Sequence, residues 1–277
     1  MTTFVEKLLA SARRNRSLLC VGLDIEPSRL PPGVRDAPGG YLAFNRAIVE
    51  ATADLVCAYK PNLAFYEALG VAGWELLART LELIPRDVPV IADAKRGDVG
   101  HTMEAYARAL FETLGCDAVT ASPYLGLAAL QPFSQRVDRG VFVLCRTSNP
   151  GAGEFQDLLL SPGAGEEPLP LYLVVARRVA AANANGNLGL VVGATFPEEI
   201  RRVRAVAPEL PVLIPGVGAQ SGDLERAVRY GVNDQGELAI INSSRGIIYA
   251  SAGDDFATAA RRAATALRAE INRYRQW

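Results

Sequence analysis

A single (β/α)8 TIM barrel with an extra N-terminal helix is the fold this sequence predicts, on three observations. Eight short apolar runs recur along the 277 residues, helical patterns lie between them, and nearly every run ends in a group capable of chemistry. Runs that are apolar throughout, without alternation, suit strands covered on both faces, as in parallel sheets. One strand plus one helix takes about thirty residues, and barrels of this kind occupy about 250 residues. An open eight-stranded sheet fits the alternation too, but its outermost strand ends would lie about 34 Å apart, too far to share one small ligand. A barrel brings them round one mouth, at the C-terminal rim where the active sites of such folds sit.

The chain opens with a helix, because Phe4, Leu8, Leu9 and Ala12 share one face. The runs follow: LLCVGL from Leu18, LVCAY from Leu55, VPVIA from Val88, AVTA from Ala118, VFVLC from Val141, LGLVV from Leu188, PVLIP from Pro211 and LAIIN from Leu238. After the first, Pro27 to Gly40 carries four prolines and reads as a loop over the rim. Met103, Tyr106, Leu110, Phe111 and Leu114 follow a period near 3.6, and Gly115 supplies a stop. Asn149 to Pro170 is the longest gap between elements, of the length expected for a lid, a binding loop or a mobile insertion. Thr195 to Glu198 reads as a capping box that opens a helix through Ile200 and Val203. Phe256, Ala260, Ala263, Leu267, Ile271 and Tyr274 make the closing stripe. No composition shift marks a second domain, so residues 1–277 read as one barrel.

Composition narrows the class. Hydrophobic residues make up 49%, and 29 basic and 30 acidic residues are well mixed for a net charge of -1, which argues against a nucleic-acid surface or an acidic tail. Cys20, Cys57, Cys116 and Cys145 are widely spaced within or beside apolar runs and read as buried, reduced thiols. The first sixteen residues lack the apolar length and cleavage pattern of a signal peptide. No segment approaches the roughly 20 apolar residues a bilayer span needs. A soluble cytoplasmic protein is expected.

The chemistry centres on VIADAKRGDVGHT, Val90 to Thr102. On an extended strand, residues two apart share a face about 6.8 Å apart, so Asp93 and Lys95 enter one cavity. A lysine between two carboxylates has its charged form favoured by both. Such a fixed ammonium suits developing negative charge better than Schiff-base chemistry, which needs a depressed pKa. By itself the pattern also suits a surface ion pair before a helix. Lys60 ends the second run, next to the third on a barrel rim. A row of Lys60, Asp93, Lys95 and Asp98 alternates in sign and sums to zero, so it can be buried as a catalytic row or as a structural network.

Pro215 to Asp223 reads PGVGAQSGD, where Gly216 and Gly218 let backbone amides approach a ligand and Ser221 suits a helix cap. With Arg245 from the eighth run beside it, the turn offers what a phosphate dianion requires, in the place where barrels hold phosphate. Two tight turns and a solvated arginine would look the same. His101 is the only histidine, which excludes a histidine zinc cage. Asp24, Glu67, Asp93 and Asp98 could assemble a magnesium site, but Lys95 competes for the same oxygens.

These stretches resemble the orotidine 5'-phosphate decarboxylase family, in its longer bacterial subfamily. ADAKRGDVGHT is similar to that family's D-x-K-x-x-D-[IV]-x-x-T signature, and PGVGAQSGD to its phosphate-gripping turn. Gly22 to Asp24, Tyr59 to Asn62, Thr147 to Gly151 and the final SRG with Arg245 match in order. The resemblance implies decarboxylation of orotidine 5'-monophosphate to UMP, the last step of UMP synthesis, without cofactor or metal. It implies that Lys95 stabilises and protonates the carbanion and that Asp93 faces the leaving carboxylate. Lys60 and Asp24 would then bind ribose hydroxyls, Ser148 the pyrimidine edge, and Gln220 with Arg245 the phosphate. Asp98 and Thr102 would reach into the neighbouring site of a homodimer. Two rivals stay open at this point: a related metal-dependent barrel acting on sugar phosphates, which shares D-x-K-x-x-D, and a catalytically silent nucleotide-binding protein.

Overall fold

The structure is a computed structural model that describes residues 2–161, 167–217 and 223–275. Its eight parallel strands are β1 (Leu19–Gly22), β2 (Ala58–Lys60), β3 (Ile91–Arg96), β4 (Ala118–Ala121), β5 (Gly140–Arg146), β6 (Leu188–Val192), β7 (Val212–Pro215) and β8 (Ala239–Ser243). They run in the spatial order β2-β1-β8-β7-β6-β5-β4-β3. Bridges at Tyr59↔Val90 and Asn62↔Asp93 close β3 onto β2. Each apolar run of the sequence thus becomes a strand, and the predicted barrel is the fold observed.

The barrel interior is layered by the two-residue period of its strands. Cys20, Ala58, Ile91, Ala118, Phe142, Val191, Leu213 and Ile240 pack inside as one apolar cluster. Phe4, Leu8 and Ala12 of the N-terminal helix Phe4–Arg14 join that cluster and plug the floor. Phe4 meets Phe142 edge-on, with ring centroids 5.6 Å apart. Gly140, where β5 begins, has to be glycine, because a Cβ there would stand 2.4 Å from the Phe4 ring. With the floor sealed, the interior opens only toward the strands' C-terminal ends. Two residues further along each strand, the inward layer reads Gly22, Lys60, Asp93, Thr120, Leu144, Gly193, Pro215 and Asn242. Apolar filling gives way to polar chemistry within one step of the pleat.

Local departures from expectation have identifiable causes. The predicted capping box at Thr195 does not form. The helix begins at Pro197 with Phe196 as its cap, and the Thr195 hydroxyl is buried without a hydrogen-bond partner. Pro197 sets the first helical φ and has no N–H to cap, which moves the start past the threonine. A capping box does form in the first helix, between Thr3 and Glu6. The helix Gly100–Ala107 loosens into a π turn at Arg108–Thr113 before Gly115 turns left-handed at φ 69°. The cap of the helix Leu224–Gly231 is Asp223, which accepts the Arg226 N–H at 3.0 Å, while Ser221 lies outside the described residues. The stretch from Asn149 to Pro170 carries short helical turns at Pro150–Ala152 and Gly153–Gln156, and Leu159–Leu160 pairs with Leu169–Pro170 as an antiparallel ribbon.

All four cysteines are buried and reduced. Among the described residues, no helix is long and apolar enough to cross a membrane.

Candidate active site

A cavity of about 710 Å³ opens at the rim over this polar layer. Asp24, Lys60, Asp93 and Lys95 line one side of it, and Ser148, Pro215 and Arg245 line the other parts. Among the described residues five that line it are charged, three cations against two carboxylates. One positive charge in excess favours an anionic ligand.

Asp93 is the hub. Lys60 donates to its Oδ2 at 2.9 Å, Lys95 donates to its Oδ1 at 2.6 Å, and Thr120 donates to the same Oδ1 at 2.9 Å. The two lysines differ in freedom: the Lys60 side chain is 4% exposed and that of Lys95 49%. Lys60 is locked, whereas Lys95 can turn to a ligand. Burial works against charge on Asp93, but the attraction of Lys60 and Lys95 and the hydrogen bonds from both exceed it, and the carboxyl is held well below its ordinary range. Burial likewise disfavours the Lys60 ammonium, and the attraction of Asp93 and then of Asp24 overcomes it, so its pKa rises above the ordinary lysine value. The Lys60 and Lys95 ammonium groups stand on the two oxygens of one carboxylate.

Lys95 reaches Asp93 by an unexpected backbone. Its φ is 48°, in the left-handed region that a side chain disfavours. The pairing of β3 with β4 shifts register between Ala92 and Arg96. Such a conformation costs about 1–3 kcal/mol and persists only where surrounding contacts determine it. Here the Lys95 N–H donates to Thr120 Oγ1 at 2.9 Å.

The predicted row of four loses a member. Asp98 lies between the end of β3 and the helix Gly100–Ala107, where its Oδ1 accepts the Val99 N–H at 2.7 Å. It does not line the cavity, and neither does Thr102. Asp98 is past the end of β3 at Arg96, and at five residues from Asp93 the two-residue period would turn it to the opposite face in any case. Glu67 is ion-paired to Arg96. Among the described residues no three histidine, cysteine, aspartate or glutamate side chains stand close enough together to share a metal ion.

Around the hub, Asp24 Oδ1 accepts the Asn62 N–H at 3.1 Å, which ties the exits of β1 and β2 together. Ser148 packs so tightly on the end of β6 that a Cβ on Gly193 would lie 2.7 Å from its own Cβ. Arg245 is exposed at the start of the turn Arg245–Ile248. Pro215 ends β7, and Gly216 follows at φ 93°, a conformation glycine adopts freely. Gln220 lies outside the described residues.

Several lining residues carried no sequence signal. Thr120 sits in an apolar tetrapeptide, AVTA, and only its inward register gives it a role. Asn242 lines the cavity with its side-chain oxygen buried and unpartnered. Gln156 lines it from the insertion, accepting the Thr147 N–H at 2.8 Å. Beside it, buried Arg146 donates to Asp157 at 3.1 Å and lies 3.9 Å from the Phe196 ring centroid, so it anchors the base of the insertion to the barrel.

Comparison with known proteins agrees with this geometry. The profile of the orotidine 5'-phosphate decarboxylase / HUMPS family matches residues 17–263. The orotidine 5'-phosphate decarboxylase of Thermomicrobium roseum is 54% identical over 275 residues, covering 99% of this chain and 96% of that protein. The enzyme of the same name from Dehalococcoides mccartyi is 53% identical over 273 residues, covering 99% and 98%. Among solved structures, the OMP decarboxylase of Leishmania donovani superposes with a TM-score of 0.84 at 39% identity, covering 99% of this chain and 98% of that one.

Proposed function

This chain belongs to the orotidine 5'-phosphate decarboxylase / HUMPS family, and from that premise we propose that its cavity binds orotidine 5'-monophosphate and releases carbon dioxide to leave UMP. The observation that carries the reading is the line Lys60, Asp93, Lys95 at the floor of a cavity with Arg245 on its rim.

The chemistry follows from charge placement. The bond from the pyrimidine ring to its carboxylate breaks heterolytically, carbon dioxide leaves, and the electron pair stays on the ring carbon. The Lys95 ammonium stabilises that pair and then gives it a proton, and water restores the lysine. Preorganised charge in a site shielded from water is the strongest means a protein has of lowering such a barrier. Asp93 holds both ammonium groups in place and faces the departing carboxylate. Asp24 and Lys60 hold ribose hydroxyls, Ser148 the pyrimidine edge, and Arg245 with Gln220 the phosphate, whose binding free energy contributes to the chemical step. No resident metal or cofactor enters this scheme.

Asp98 and Thr102 serve the site of a second copy in a homodimer. Support comes from their position outside their own cavity, with exposed Val99, Tyr124 and Leu125 on the same and the next rim loop. Mixing inactive Lys95→Ala and Asp98→Ala chains would restore activity in heterodimers if sites are composite, and no recovery would exclude this. A nucleotide-biosynthetic reaction of this kind places the chain in the cytoplasm.

The direct test is a spectrophotometric assay with orotidine 5'-monophosphate. Turnover that persists in a metal chelator is expected. Activity abolished by chelation and restored by magnesium would favour a metal-dependent relative, and UMP binding without carbon dioxide release would favour a silent nucleotide binder.

A further inference from the structure

We propose that Thr120 is a positioning residue for this decarboxylation, acting through Asp93 and Lys95, a role that rests on the reading of the site given above. Thr120 is buried on β4, directly across from the bend in β3. A hydroxyl has one proton to give and lone pairs to accept with. Thr120 gives its proton to Asp93 Oδ1 and accepts the backbone N–H of Lys95, both at 2.9 Å. The Lys95 ammonium returns to the same Oδ1 at 2.6 Å. A closed ring therefore links the main chain of Lys95, the Thr120 hydroxyl, the Asp93 carboxylate and the Lys95 ammonium.

Each link constrains a different freedom. The bond to the Lys95 N–H holds a left-handed residue that would otherwise relax toward extended backbone and swing its ammonium away. The bond to Oδ1 stops the carboxylate from rotating about its own axis, so that one oxygen stays with Lys60 and the other with Lys95. The half-exposed Lys95 ammonium cannot do this, since it follows the carboxylate as it turns, and buried Lys60 holds only the other oxygen. Both hydrogen bonds that the Thr120 hydroxyl makes among the described residues lie inside the ring.

The test compares Thr120→Val, which keeps shape and removes the hydroxyl, with Thr120→Ser, which keeps the hydroxyl. The expected result for the valine variant is a loss of kcat of about 100-fold, the scale on which a displacement of about 1 Å acts. The UMP dissociation constant should shift by less than about threefold and the stoichiometry should stay at one UMP per chain, a pattern that misfolding would not give. The serine variant should recover most of kcat. Should valine not be accommodated, Thr120→Ala against Thr120→Ser carries the same contrast. A hydroxyl-free variant that binds UMP fully and turns over within twofold of wild type would overturn the proposal, as would a loss that serine does not repair. Failure of the decarboxylation reading is separable, because wild-type protein would then release no carbon dioxide at all.

Discussion

The hydroxyl of Tyr249 donates to the carbonyl oxygen of Asp24 at 3.0 Å and accepts the N–H of Glu26 at 2.5 Å, so one phenol joins the exit of β1 to the segment after β8. Asp24 and Arg245, from opposite ends of the chain, are thereby held on one frame. Burial pushes the Tyr249 phenol up to about 12, and it stays protonated over any ordinary assay range. Tyr249→Phe should raise KM for the phosphorylated substrate about three- to tenfold with a smaller change in kcat, in keeping with loss of one or two hydrogen bonds that position a loop. Steady-state kinetics checks this, and an unaltered KM would mean the loop needs no such tie.

Lys95→Ala is expected to remove turnover while leaving UMP binding measurable by calorimetry, since Lys60 still neutralises Asp93 in the resting site. Residual activity near the wild-type rate would refute its part in the proton transfer.

Asp93→Ala addresses stability as well as catalysis. It leaves the Lys60 ammonium buried without its nearest anion, a change that costs about 3–5 kcal/mol. Because the folded Asp93 carboxyl lies below its unfolded value, its contribution is present above pH of about 4 and is lost as pH falls through the folded value. Because folded Lys60 lies above its unfolded value, its contribution is fully present below pH of about 10.4 and is lost as pH rises through the folded value. The gap in thermal midpoint between wild type and variant should therefore be constant from about pH 5 to 9. A gap that closes near neutrality would contradict the ion-paired hub.

Arg245→Ala should weaken UMP binding about 10- to 100-fold and leave uridine affinity unchanged, the range expected when one charge-assisted contact to a phosphate is lost. Equal losses for both ligands would place the phosphate elsewhere.

Gly193→Ala should lower kcat/KM, because the added methyl would collide with Ser148 at the pyrimidine side of the cavity. Unchanged kinetics would show that Ser148 moves aside without consequence.

The barrel, its order of strands along the chain and the place of its rim were determined by the sequence alone, because burial on both faces leaves unbroken apolar runs and chemistry collects where those runs stop. Asp24, Lys60, Asp93, Lys95, Ser148, Pro215 and Arg245 were legible for that reason, each at or just past the end of a run. The sequence put Lys60, Asp93 and Lys95 in one row, and only the tertiary structure decided which atoms pair there and what else joins them. The bond between Thr120 and Asp93 spans 27 residues, that between Lys60 and Asp93 spans 33, and that between Tyr249 and Asp24 spans 225. Periodicity and strand order say which face and which neighbouring strand a residue has, but not that Thr120 bonds Asp93 or that Tyr249 bonds Asp24. The left-handed turn at Lys95 is likewise invisible in the sequence, since a residue other than glycine enters it only under contacts from elsewhere.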